Sequence, residues 1–260
     1  MNYTSALNNP IFKIIAQASQ ELSIESYVIG GFVRDFLLER DFKKDIDIVA
    51  IGSGIELALK VSELLPNKPK VQIFKNYGTA MLRFKDIDIE FVGARKESYA
   101  EDSRNPLVEN GTLEDDQNRR DFTINALAFS LNESNYGALL DPFNGRQDLE
   151  NKILRTPLNP DVTYSDDPLR MMRAIRFATQ LNFTIEHESL EAITRNADRL
   201  KIISGERIVD ELNKILETPK PSIGFLLLFR TGLLEIILPE LTALNSVEEI
   251  EGHTHKNNFY

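Results

Sequence analysis

The chain has no cysteine and only three histidines among its 260 residues. Without cysteine there can be no disulfide, no thiolate nucleophile and no cysteine-bound zinc, and a reducing cytoplasm is the expected compartment. Two of the histidines, His253 and His255, sit at the extreme C-terminus, which leaves little room for histidine-based catalysis. No segment reaches the ~18 consecutive apolar residues of a membrane span, so no membrane association is expected. The opening residues Met1–Ser5 lack a basic n-region followed by an apolar stretch, so no secretory signal is expected. The formal net charge of −10 argues against a nonspecific nucleic-acid coat. It does not describe local surfaces, because arginines cluster at Arg119–Arg120 and again at Arg170, Arg173 and Arg176. No internal repeat or low-complexity segment is visible. The length allows two small domains or one large one, and 42% hydrophobic residues support a real core.

What is present is concentrated in three blocks. The first is Gly30-Gly31-Phe32-Val33-Arg34-Asp35, followed by Asp45-Ile46-Asp47-Ile48-Val49. A glycine pair lets the backbone approach a phosphate, because no Cβ intervenes and positive φ is permitted. The alternation Asp-Ile-Asp-Ile puts two carboxylates on one strand face and two isoleucines on the other. Carboxylates at that spacing suit a hard cation such as Mg²⁺. Either half alone reads as a plain turn or an acidic edge strand. Joined, they are the equipment of phosphoryl or nucleotidyl transfer.

Around this block the pattern alternates. Apolar spacing predicts a helix over Ile11–Leu22, a short strand Tyr27–Ile29 delivering the glycines, and a helix over Val33–Leu38 whose first amides face the turn. A strand Ile46–Ile51 and a helix Ile55–Leu65, closed by Pro66, follow. Val71–Phe74, Thr79–Phe84 and Ile87–Val92 read as strands, the last two joined by a Lys85-Asp86 hairpin turn. Asp88 and Glu90 alternate with Ile87, Ile89 and Phe91, so a third carboxylate can meet Asp45 and Asp47 across a sheet. Tyr99–Gly111 reads as a polar loop. From Pro168 onward the spacing is helical, over Pro168–Leu181, His187–Ala197, Gly205–Glu217 and Ser222–Leu234.

The second block is Arg119-Arg120-Asp121-Phe122-Thr123-Ile124-Asn125-Ala126-Leu127. Guanidinium groups hold oxyanions by forked hydrogen bonds, so the two arginines suit triphosphate or ribose contacts. Asp121 can position Arg120 or receive a hydroxyl. A charged loop leading into a helix is the plain alternative. The third block is Asp166-Asp167-Pro168-Leu169-Arg170-Met171-Met172-Arg173-Ala174-Ile175-Arg176-Phe177. Asp167 fits an N-cap and Pro168 the first helical position. Arg170, Arg173 and Arg176 form a drifting basic stripe, which on its own would be a solvated face. Met171, Met172, Ile175 and Phe177 read as packing. One turn apart, Asp167 and Arg170 can offer an acceptor beside a donor. Cytosine and adenine present an amine beside a ring acceptor, and guanine and uracil reverse that order. Such a pair would accept C and A and reject the others, because mismatched polar groups stay unpaired.

Together these blocks resemble the class II tRNA nucleotidyltransferase (CCA-adding) and bacterial poly(A) polymerase family, within the polymerase-β-like nucleotidyltransferase superfamily. GGFVRD with DID, RRDFTINALAF, DPFNGRQDL, DDPLRMMRAIRFA and SGERIVDELNKIL carry the resemblance, in the family's order, from Tyr27 to Leu216. It implies an α+β fold: a small mixed-sheet nucleotidyltransferase head over residues 1–152, a helical, base-recognising neck over 153–218, and the start of a helical body over 219–260. It implies two Mg²⁺ on Asp45 and Asp47, with Glu90 as the third catalytic carboxylate. It also implies Gly30, Gly31 and Arg34 at the incoming triphosphate, and Arg120 with Asp121 near its ribose. The base would be read by Asp167 and Arg170, supported by Arg173 and Arg176. Glu206, Arg207 and Glu211 match a motif that either braces the neck or touches substrate. Asp166 stands where the family often has Glu, beside an unchanged reading residue. The tail from Gly252 to Tyr260 resembles the opening of an HD-type phosphohydrolase domain and stops before its His-Asp pair, so a truncated or partial chain is expected. The plainer reading of His253 and His255, an unstructured tail, is preferred.

The resulting expectation is a template-independent RNA nucleotidyltransferase adding CTP and ATP to the tRNA 3′ end, the RNA being recognised by shape and backbone. Poly(A) addition and CC-only or A-only addition are the rivals within the family. An RNA-binding module that has lost activity is a remote alternative, opposed by the intact Asp45, Asp47 and Arg34. A small-molecule nucleotidyltransferase is another, opposed by the arginine-striped helix and the long helical extension.

Overall fold

The apolar half of the Asp-Ile-Asp-Ile alternation builds the core of the first unit. A computed structural model describes residues 2–40, 45–98, 107–244, 249–250 and 253–254. It divides into two compact units, with the chain passing from one to the other between Asn151 and Lys152.

In the first unit the strands are β1 (Ser26–Ile29), β2 (Asp45–Ala50), β3 (Val71–Phe74), β4 (Thr79–Phe84), β5 (Ile87–Gly93), β6 (Arg95–Ser98), β7 (Leu107–Asn110), β8 (Ala128–Ser130) and β9 (Leu139–Leu140). Seven of them form one mixed sheet in the order β3-β4-β5-β2-β1-β8-β9, in which β2 and β5 are parallel and the other neighbours antiparallel. The helices are α1 (Pro10–Glu21), α2 (Gly31–Leu37), α3 (Gly54–Leu64), α4 (Leu113–Asn118) and α5 (Gly145–Asn151). Ile46, Ile48, Ile89 and Phe91 are buried on one sheet face, and α3 packs on β4 and β5. Gly54 opens α3 where a Cβ would stand 2.7 Å from the Val92 backbone, so only glycine permits that approach.

Local chemistry explains the helix starts. Asn9 accepts from the Ile11 amide with Pro10 at the first position of α1, and Ser53 accepts from the Glu56 amide ahead of α3. Thr112 and Asp115 form a reciprocal capping box for α4.

Three elements depart from the sequence expectation, one in this unit and two in the second. The polar stretch after Tyr99 was expected to be loop throughout, but Leu107–Asn110 pairs antiparallel with Arg95–Ser98. Leu107-Val108-Glu109-Asn110 does not alternate apolar with polar, so no period-2 signal marks it as a strand. The rest of that stretch, 99–106, lies outside the described residues.

The second unit contains α6 (Pro160–Asp166), α7 (Leu169–Leu181), α8 (His187–Asn196), α9 (Gly205–Leu216), α10 (Pro221–Arg230), α11 (Leu233–Ile237) and α12 (Pro239–Ala243). It also carries a two-residue parallel pair, β10 (Ile153–Leu154) with β11 (Thr184–Ile185). The single helix expected over Ser222–Leu234 is two helices, because Gly232 takes the left-handed conformation at φ 76°. Helix α6 lacked a clear period in the sequence and was not expected. Of the tail read as an HD-like opening, only the backbone of His253–Thr254 is described, in a two-residue pair with Glu249–Ile250. Among the described residues no helix is long and apolar enough to cross a membrane.

Candidate active site

Strand register assembles the acidic centre. In the parallel pair β2–β5, Asp45 lies opposite Asp88 and Asp47 opposite Glu90. Paired residues on neighbouring strands share a face, so four carboxylates stand on the sheet face away from Ile46 and Ile48. Farther along that face the acidic row gives way to an apolar cluster of Tyr27, Ile29, Val49, Ala94 and Ala128, which fixes the sheet beneath it. Asp45 is exposed and Asp47 half-buried. The Glu90 carboxyl is pushed above its ordinary value, first by loss of water around it and then by the Asp47 charge, with Arg95 opposing. Glu90 is exposed by area, so the desolvation reflects crowding at the carboxyl and not enclosure of the whole side chain.

Strand β1 ends with Ile29 opposite Asp47, which sets Gly30 beside that carboxylate. Gly30 has φ +81°, and a Cβ there would stand 3.1 Å from Arg120 Nη1 and 3.4 Å from Asp47 Oδ2. One glycine therefore separates a carboxylate from a guanidinium, and any side chain would fill the gap between them. Behind it, the antiparallel β1–β8 pair brings the Arg119–Leu127 segment alongside, with the Gly30 amide donating to the Leu127 carbonyl at 3.2 Å.

Buried polar bonds hold these cations in place. Arg34 is 3% exposed; its Nε donates to Asp35 Oδ1 at 2.8 Å and its Nη1 to Asn125 Oδ1 at 2.8 Å. Asn125 Nδ2 donates to Asp121 Oδ1 at 3.0 Å, which also accepts from the Phe122 amide at 2.9 Å. Arg120 Nε donates to Asp116 Oδ2 at 3.1 Å, and its Nη1 to the Asn125 carbonyl at 3.4 Å. Arg119 Nε donates to the other oxygen of Asp116 at 3.0 Å. The Asp116 side chain is fully buried. Burial alone would raise its carboxyl, but the charges and hydrogen bonds of Arg120 and Arg119 outweigh it and hold the group below its ordinary value.

The DPFNGRQDL motif supports this loop from outside. Asp141 accepts from the Gly145 and Arg146 amides to start α5, and Asp148 on that helix accepts from Thr123 Oγ1 at 2.7 Å. Asp116 and Asn125 were missed as site residues in the sequence. Asp116 had a signal, since it lies three and four positions before the two arginines. Asn125 had none beyond its motif, because its partner Arg34 is 91 residues away in the chain.

The second unit holds the remaining candidates. Asp167 Oδ1 accepts from the Leu169 amide at 3.2 Å, an N-cap arrangement with Pro168 next. Arg170 is 8% exposed, and its Nη1 donates to the Thr163 carbonyl at 3.4 Å. Arg173 and Arg176 flank the Phe177 ring, at 5.5 and 4.0 Å from its centroid. Arg176 Nε also pairs with the buried Glu211 of α9 at 2.5 Å, and Lys214 reaches the same carboxylate. The stripe is thus no solvated face. Glu211 braces α7 to α9, whereas Glu206 is exposed. Met171, Met172, Ile175 and Phe177 are buried as packing.

A metal ion fits the first-unit centre by donor chemistry. Among the described residues no three Asp, Glu or His side chains converge into an all-protein cage. Carboxylates that repel one another, as Asp47 and Glu90 do, are the donor set of a hard divalent cation. Mg²⁺ characteristically takes one or two carboxylates and completes its shell with water and substrate phosphates.

Comparison with known proteins assigns the segment that carries these residues to a family. Residues 26–155 match the family described as the poly(A) polymerase head domain. Residues 182–244 match a family described as the probable RNA and SrmB-binding site of polymerase A. The chain therefore belongs to the poly(A) polymerase head-domain family. It is 40% identical over 229 residues to a CCA-adding enzyme of Geobacillus sp. (strain WCH70), covering 87% of this chain and 54% of that one. It is 38% identical over 195 residues to an A-adding tRNA nucleotidyltransferase of Aquifex aeolicus (strain VF5), covering 74% of this chain and 23% of that one. The chain thus spans about half, or less, of these curated relatives. Among solved structures it resembles a tRNA nucleotidyltransferase complexed with a primer tRNA and an incoming ATP analog, at 32% identity and TM-score 0.76, over 88% of this chain and 66% of that one. An apo CCA-adding enzyme matches at 30% identity and TM-score 0.83, over 96% of this chain and 59% of that one.

Proposed function

We propose that the chain performs metal-dependent, template-independent nucleotidyl transfer to the 3′ end of RNA, with tRNA as acceptor and CTP and then ATP as donors, in the cytoplasm. The observation that carries this reading is Gly30 set between the Asp47 carboxylate and the Arg120 guanidinium, in line with Glu90. A carboxylate centre beside a fixed cation suits a triphosphate whose reacting phosphorus must be held between metal and arginine. The names of the relatives, CCA-adding and A-adding, favour tRNA as the acceptor.

Asp45 and Asp47 would hold two Mg²⁺, with Glu90 as the neighbouring carboxylate. Bound there, the ions would supply Lewis-acid activation of the primer 3′-hydroxyl and positive charge for the departing pyrophosphate. The hydroxyl oxygen bonds to the α-phosphorus while the α–β phosphoanhydride bond breaks. Gly30 and Gly31 let the triphosphate lie close to the backbone, and Arg34 lends positive charge from beneath. Arg120 binds oxyanions with its orientation fixed in advance by Asp116, so little rotamer freedom is lost on binding. Asp121, through Asn125, orients the ribose end of the site. Asp167 and Arg170 offer the acceptor and donor that suit C and A, and Arg173 and Arg176 keep α7 rigid behind them.

A second reading, addition of A alone, is favoured by the two A-adding relatives at 38% and 34% identity. The test is incorporation of each labelled NTP, with Mg²⁺, onto tRNA transcripts ending before CCA, after C, after CC and after CCA. CTP and then ATP addition stopping at CCA is expected. ATP addition only after CC makes it an A-adding enzyme, and long ATP runs make it a poly(A) polymerase.

A further inference from the structure

The acidic row of the active site continues outward to a sheet edge of opposite character. From Glu90 the cross-strand register runs to Met81 on β4 and then to Gln72 on β3, the last strand of the sheet. One row along, Phe74 of β3 lies opposite Thr79, which lies opposite Val92. Phe74 therefore shares the sheet face of the carboxylates, two strand spacings or about 10 Å from β5.

This edge is exposed and cationic in a chain of net charge −10. Between Asn67 and Lys85 there is no acidic residue, against Lys68, Lys70, Lys75, Arg83 and Lys85. Every residue from Gln72 to Gly78 is exposed, with Phe74 at 43% and Tyr77 at 72%. Two exposed rings interleaved with lysines are poor features for a solvated edge. They are good ones for a single-stranded polyanion, whose bases stack on aromatic faces while lysines meet the phosphates.

We propose that β3 and the short 3₁₀ turn after it, Lys75–Tyr77, form a docking surface for single-stranded RNA. Phe74 and Tyr77 serve as stacking platforms, and Lys70 and Lys75 as phosphate contacts. The inference rests on the RNA nucleotidyl-transfer reading and adds a second RNA contact, on the first unit, outside the reacting centre. Lysines also protect exposed strand edges from pairing with another chain, so self-association of β3 is the competing use of this edge.

The experiment measures binding of a fluorescein-labelled single-stranded RNA ending in CC, and of a tRNA transcript ending in CC, across a salt series. Tyr77→Ala and Phe74→Ala are each expected to weaken binding about tenfold or more, while Tyr77→Phe retains it. Lys70→Ala with Lys75→Ala should lower the salt slope by about 1.4. In steady-state addition the aromatic variants should raise KM for primer and leave KM for ATP unchanged, a split that a merely misfolded variant would not show. Wild-type RNA affinity in these variants, from an enzyme that still incorporates nucleotide, overturns the docking surface alone. Absence of both RNA binding and incorporation in the wild-type chain overturns the transfer reading and this inference with it. Sedimentation that shifts from dimer to monomer in Phe74→Ala, with RNA affinity unchanged, assigns the edge to self-pairing instead.

Discussion

The two units hold their arginines in different ways. In the first, Arg34 and Arg120 come from segments far apart in sequence and meet at one turn, each held by a buried partner, Asp35 with Asn125 and Asp116 respectively. In the second, Arg170, Arg173 and Arg176 lie along a single helix and answer to nearby groups, Thr163, Phe177 and Glu211. The first arrangement fixes positions by strand register, the second by helical period. Fixed cations beside carboxylates suit bond making, where misplacement by about an ångström is costly. A helix face that carries both acceptor and donor suits discrimination among bases.

The sharpest way to break this contrast is at the acidic centre. Asp45→Ala should lower nucleotide incorporation by about three orders of magnitude or more while leaving circular dichroism and RNA binding unchanged. Turnover near wild type would remove the metal assignment.

Asp116→Asn tests whether the first unit's cations are held in advance. It should destabilise the fold by about 2 kcal/mol, less than for a wholly enclosed pair because the two guanidinium groups keep some contact with water. It should also raise KM for ATP. The pH dependence follows from the lowered carboxyl. The group titrates near 3.8 when unfolded and lower when folded, so its contribution is complete above about pH 5 and is lost as pH falls through the folded value. Urea titrations at pH 7 and pH 3.5 should show the gap between wild type and Asp116→Asn narrowing at acid pH. A constant gap would remove the ion-pair explanation.

Arg170→Ala examines the second unit. Selection of CTP and ATP over UTP and GTP should relax by about ten- to a hundredfold, with a smaller change in triphosphate affinity. Selectivity ratios equal to wild type would end the base-reading role.

The smallest expected effect is at the brace between α7 and α9. Glu211→Gln keeps the shape of the side chain beside Arg176 but loses its charge, and should cost about 1 kcal/mol in a denaturant titration without altering selectivity. A change in selectivity of the size expected for Arg170→Ala would mean that Glu211 belongs to the base site.

Much of the fold was legible because it is written locally. The Asp-Ile-Asp-Ile alternation located β2, apolar spacing located α1 to within a residue at each end, and Asp167-Pro168 marked the start of α7. The break at Gly232 was missed because apolar residues resume immediately after it at Leu233-Leu234, so the overall spacing outweighed a single glycine. The hairpin of Arg95–Ser98 with Leu107–Asn110 was missed because strand pairing is not a property of either segment alone.

By itself the sequence determined the residue types and their local faces: carboxylates alternating with isoleucines, a glycine pair after an apolar strand, arginines at helical spacing. These follow from the periods of strand and helix, which operate over a few residues. Only the tertiary structure decided that Asp47 stands opposite Glu90, that Gly30 separates Asp47 from Arg120, and that Asn125 reaches Arg34. Those meetings depend on the parallel register of β2 with β5 and on β1 lying between β2 and β8. Register is chosen by burying one sheet face as a whole, a choice no short segment can make alone.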